Sequence, residues 1–89
     1  MNKDKLVAVF EKAKKNGVGF IGVAVSIDDN PHLEIIINSI YNFELKLNYY
    51  NQTYDKNLNH KFAKGISIVD CVSGDSFGEI EDKIITISI

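Results

Sequence analysis

At 89 residues, 45% of them hydrophobic and 25% charged, the chain suits one folded domain and is too short for two full cores. Ten basic against twelve acidic residues give a formal net charge of −2. That balance argues against a protein that grips nucleic acid by charge, and it is too mild for an acidic DNA mimic. No apolar run approaches the roughly 18–20 residues that span a bilayer, so no membrane partner is expected.

The single cysteine, Cys71, excludes an intrachain disulfide and points to a reducing compartment. Lys3, Asp4 and Lys5 near the start are followed by no apolar stretch of secretory type. A cytoplasmic location is the expectation. All ten basic residues are lysines. Bidentate recognition of phosphate or carboxylate, which arginine supplies, is therefore outside this chain's means.

The first segment has helical spacing. Leu6, Val9, Phe10 and Ala13 share a face that Val7 widens. Asn2 or Asp4 suits its N-terminal end, and Lys12, Lys14 and Lys15 complement the dipole of its last turns. Asn16-Gly17 is the stop signal. The run VGFIGVAVSI is a strand with two unlike faces. Ile21, Val23, Val25 and Ile27 form the bulky one, and Phe20, Gly22, Ala24 and Ser26 form one that is mostly small. A small face lets a helix or another backbone approach closely. The polar cluster Asp28-Asp29-Asn30-Pro31-His32 is a turn, and LEIIIN after it completes an antiparallel hairpin, with Leu33, Ile35 and Ile37 on one side.

The segment Ile40–Tyr54 fits two periods. As a strand, Tyr41, Phe43, Leu45, Leu47 and Tyr49 alternate with Asn42, Glu44, Lys46 and Asn48. As a helix, Ile40, Phe43, Leu47, Tyr50 and Tyr54 fall three and four apart, and the pattern runs longer. Leu, Glu and Lys in its middle and the lack of β-branched residues favour the helix, with Ser39 or Asn38 as its cap. The helix then carries a second stripe, Tyr41, Leu45 and Tyr49, roughly opposite the first.

A polar connection, DKNLNHKFAKG, follows, with Leu58 and Phe62 as its expected anchors. ISIVDCV is a strand. SGDSFGEIEDK is a turn with room for a short helix after it: Ser76 and Glu79 have capping-box spacing, while Gly78 weakens the helix. The closing IITISI alternates Ile85, Ile87 and Ile89 with Thr86 and Ser88 and is expected as a strand with an exposed edge. The expected fold is α+β. It has a four-stranded, mainly antiparallel sheet and two helices, in the order α-β-β-α-β-β, forming one domain over residues 1–89.

Few residues carry chemistry. Cys71, His32, His60 and Asp70 are the ingredients of a thiol nucleophile, but Asp70 and Cys71 point to opposite faces of their strand. Cys71 is better explained as a small apolar filler. Asp28, Asp29, Asn30 and His32 lack the spacing of a calcium loop and serve the turn. No catalytic residue, metal or cofactor is expected. The turn Ser73-Gly74-Asp75-Ser76 is the densest cluster of small polar groups, and its amides could cradle an anion. It lacks the P-loop ending, and Asp75 and Glu79 oppose phosphate. The tyrosines could stack on bases, but only Lys46 interleaves with them, so no nucleic-acid partner is expected. Five of the nine aromatics lie at Tyr41, Phe43, Tyr49, Tyr50 and Tyr54. One sheet cannot cover them all, and tyrosine is enriched in protein interfaces.

The stretch NFELKLNYYNQTYDKNL followed by GISIVDCVSGDSFGEI resembles small phage and prophage proteins of low-GC bacteria. The resemblance implies action by binding, either as an inhibitor of a host defence protein or as a sponge for a signalling nucleotide. It assigns no residue. The expectation is a non-enzymatic accessory or inhibitor protein that binds protein through Tyr41, Leu45 and Tyr49. The alternative is a small-molecule or nucleotide module using the Ser73–Glu79 turn. Surplus apolar surface on the second stripe and on the closing strand also predicts a homodimer.

Overall fold

The computed structural model describes the backbone of residues 1–88 and the side chains of residues 1–84. Helix α1 spans Lys3–Asn16. Asn2 opens it by accepting the Lys5 N–H at 2.9 Å, and Gly17 closes it in the left-handed region at φ 66°. Strand β1, Phe20–Ile27, is central in a three-stranded antiparallel sheet of order β2-β1-β3. Strand β2, Glu34–Ser39, is its hairpin partner, and β3, Ile66–Gly74, pairs on its other side. A bulge in β3 sets Asp70 opposite Ala24 and Ile68 opposite Val25, so Val69 is extruded into solvent.

Ile40–Tyr54 resolves in favour of the helix. A 3-10 turn at Ile40–Asn42 leads into α2, Phe43–Thr53, and Tyr54 is the C-cap. Ser39 supplies the cap by accepting the Tyr41 N–H at 3.3 Å. Asn38, the other candidate, sits in the core instead. Its side-chain amide donates to the carbonyls of Ile21 and Ile36 at 3.1 and 3.2 Å, and its oxygen accepts from the Tyr50 hydroxyl at 3.4 Å. That network ties α2 to the sheet. Burial raises the Tyr50 hydroxyl pKa to about 12, so it stays a donor.

The bulky face of β1 is covered by α1 and α2. Leu6, Phe10 and Ala13 meet Ile21, Val23 and Val25 there, with Phe43, Tyr50, Tyr54, Leu58, Ile68 and Cys71 completing the core. The small face is covered by a third helix, α3, Phe77–Ser88, whose Ile80 and Ile84 pack on Ala24. The class is thus α+β, but with three strands and three helices rather than four and two. The expected closing strand is the correction. Its backbone is helical through Ser88, and Ile89 lies outside the described residues. Ile80 and Ile84 are four apart, so the helix that starts at the Ser76 cap lays both onto Gly22 and Ala24. The alternation of β-branched residues at 85–88 is overridden by this need to cover the sheet. Among the described residues, the C-terminal segment therefore offers no strand edge for a dimer to use.

Leu58 is fully buried and anchors the long connection as expected. Phe62 does not: it is 80% exposed, in the bends and turns that join His60 to β3. Among the described residues, no helix is long and apolar enough to cross a membrane.

Candidate protein-docking face and the β3–α3 turn

Phe43 and Tyr50 point from α2 into the core, which fixes the helix rotation. Tyr41, Leu45 and Tyr49 are then turned to solvent at 94%, 70% and 49% exposure. Leu45 and Tyr49 lie on α2 itself, and Tyr41 is exposed in the 3-10 turn that precedes it. α1 does not cover them, because its own apolar face is spent on Phe43, Tyr50 and the sheet. Leu45 and Tyr49 join Lys46, Asn48 and Gln52 around a shallow depression of about 530 Å³. The Lys46 ammonium lies 5.8 Å from the centre of the Tyr49 ring. The Tyr49 ring meets Tyr50 edge to face at 5.3 Å and is steadied from below. Sequence reasoning missed Asn48 and Gln52. The signal was present, since Leu45, Asn48, Tyr49 and Gln52 fall at i, i+3, i+4 and i+7.

The Ser73-Gly74-Asp75-Ser76 turn joins β3 to α3, and its polar groups are engaged within the fold. Asp75 accepts the Gly19 N–H at 3.1 Å. Glu79 accepts the Asp75 N–H at 2.9 Å, and Ser76 accepts the Glu79 N–H at 3.1 Å. Lys83 donates to the Ser73 carbonyl at 2.6 Å and pairs with Glu79 at 3.2 Å. An anion would have to displace the Glu79 carboxylate from the Asp75 N–H and lie beside the Asp75 carboxylate, so these contacts favour a capped turn over a cradle. The Asp75 N–H and then Lys83 hold the Glu79 carboxyl below its ordinary pKa. A depressed folded-state pKa gives stability above the unfolded value that is lost as pH falls through the folded one. Glu79→Gln should therefore flatten the acid limb of a melting-temperature profile and leave the neutral-to-alkaline limb unchanged in slope.

The thiol ingredients are not brought together. Cys71 is buried on the α1 face of β3. His32 lies in the β1–β2 turn, and its N–H donates to the Asn30 side chain at 3.0 Å. His60 sits against the Tyr54 ring at 5.1 Å, and its Nδ1 accepts the Phe62 N–H at 3.0 Å. Asp70 bonds the backbone N–H of Cys71 at 2.8 Å, not the thiol. Burial, and then repulsion from Asp70, push the thiol pKa up to about 12. Iodoacetamide at mildly alkaline pH should leave Cys71 unmodified in the folded protein and alkylate it in denaturant. Cys71→Ser should keep binding intact and lower stability by about 1–3 kcal/mol, because the hydroxyl is buried without an assured partner. Among the described residues, no three His, Cys, Asp or Glu side chains converge as a metal site would require.

No family model, curated protein or solved structure matches the chain.

Proposed function

We propose that this is a non-enzymatic protein-binding protein of the accessory or inhibitor type, docking on its partner through the outward face of α2. The observation that carries this reading is the exposure of Leu45 and Tyr49 on a helix whose opposite face is already buried in the core, with Tyr41 exposed in the 3-10 turn that leads into it. Aromatic anchors beside a depression edged by Asn48, Gln52 and Lys46 have the make-up of an interface centre with a polar rim. The resemblance to small phage proteins supports a host protein as the partner, with counter-defence as the setting.

The test is capture from a bacterial lysate with three immobilised baits: the wild type, Leu45→Lys and Tyr49→Lys. The wild type should retain a partner that both variants lose, while all three melt within a few degrees of each other. A partner retained equally by all three would contradict the α2 face. A nucleotide panel run on the wild type should leave its melting temperature unmoved. A rise with any nucleotide would favour the ligand-sponge reading.

A further inference from the structure

The two edges of the sheet are treated differently by the chain. In an antiparallel ladder, alternate residues turn their N–H and C=O groups inward or outward. Asp28 donates to the Gly65 carbonyl at 2.8 Å, which fixes the phase of the β1–β3 ladder. With the bulge after Ala24, the outward residues of β3 are Ile66, Ile68, Cys71 and Ser73. Each has one of its two outward groups engaged. The Ile66 carbonyl accepts from His60, and the Ile68 N–H donates to Leu58. The Cys71 N–H is taken by Asp70, and the Ser73 carbonyl by Lys83. This edge is interrupted along its length, by the 58–60 segment, Asp70, Lys83 and the bulge.

The β2 edge is not. Ile40 donates to the Gly19 carbonyl at 2.9 Å, in register with the β1–β2 pairs. Glu34, Ile36 and Asn38 therefore bond inward to β1, and Ile35 and Ile37 turn their backbone groups outward. Among the described residues, nothing bonds those outward groups. The strand carries no lysine, proline or bulge to discourage pairing. Its side chains are also short of cover. Leu33, Ile35 and Ile37 are only half-buried at the rim of the Ile80–Ile84 cluster, because α3 packs across β1 and β3.

We infer that β2 pairs antiparallel with β2 of a second copy, about a two-fold axis at Ile36, to make one continuous six-stranded sheet. The occupant is chosen by self-match. Around that axis Ile35 faces the partner's Ile37 as a hydrogen-bonded pair, and Ile37 faces the partner's Ile35. The outward groups of both strands then satisfy each other, with four isoleucines gathered on the α3 side. Ile36 meets its own copy on the other side. Glu34, the only charge on the strand, falls opposite Asn38, so no like charges meet. The inference does not depend on the α2 docking face, and the dimer would present two such faces.

Light scattering after size exclusion at high micromolar concentration decides it. The wild type should run at twice the 10.0 kDa chain mass. Ile37→Pro removes an outward N–H that the fold itself does not use, and should halve the mass with the circular dichroism spectrum retained. Ile35→Lys places a charge at the edge and should do the same, which covers the case of a proline variant that misfolds. Leu45→Lys should stay dimeric. A monomeric wild type would overturn the inference. So would a dimer that persists in both edge variants, or one split by Leu45→Lys alone.

Discussion

Gly22→Val should lower stability by about 3 kcal/mol, the upper end of the overpacking range, read as a fall in the urea midpoint. Gly22 is in the middle of the central strand, where glycine is ordinarily unfavourable. It is present because α3 lies directly upon it. A Cβ at this position runs into the Ile80 side chain and comes within 3.4 Å of Ile84. Both isoleucines are almost fully buried, so neither has room to turn away. Alanine should cost less, since it adds the one carbon that meets Ile80 and not the two further methyls of valine. Valine leaves the layer no choice but to lift. The variant should keep the α1–α2 side of the sheet and lose α3. Loss of cooperativity and a smaller denaturant slope would mark that partial unfolding.

Phe10→Ala should cost about 3–5 kcal/mol and leave the denaturant slope unchanged. Phe10 is 2% exposed, with its ring 5.6 Å from Phe43 and 6.0 Å from Tyr50. It is the side chain through which α1 meets α2 over the sheet. The void left by its ring is walled by side chains of three elements that cannot all move inward. A chain of this size has roughly 0.05–0.15 kcal/mol of stability per residue. The loss is therefore a large share of the total, and intrinsic tyrosine fluorescence against denaturant should show it as a fall in midpoint.

Much of this fold was legible because local signals and packing agree. In α1, the cap at Asn2, the apolar spacing from Leu6 to Ala13 and the stop at Gly17 all point one way. In α2, the 3-4 spacing of Ile40, Phe43, Leu47, Tyr50 and Tyr54 outran the two-residue alternation, and Phe43, Tyr50 and Tyr54 are the buried ones. Gly22 and Ala24 announced a close neighbour, though not which segment would supply it. The C-terminal segment failed because alternation was given more weight than the cap. Ser76 had already started a helix, and Ile80 and Ile84 extend the same face, but Ile85, Ile87 and Ile89 spell a strand when viewed alone. Tertiary demand from the small face of β1 settled the matter.

The candidate site was legible for the same reason as α2. Once the first stripe is buried, the period forces Tyr41, Leu45 and Tyr49 outward. The polar rim at Asn48 and Gln52 was legible from the same period, since both share the face of Leu45 and Tyr49, but an apolar stripe alone does not draw attention to its polar neighbours. The open β2 edge was hidden. It depends on ladder phase, and a sequence does not show which backbone groups a bulge, an aspartate or a lysine has already engaged.

The central claim is that the outward face of α2 is where a protein partner docks. Amide hydrogen exchange of the chain, alone and with its captured partner, tests it most directly. Slowed exchange over residues 41–52 with the Ser73–Glu79 turn unchanged is the predicted result, and slowing confined to that turn would contradict it.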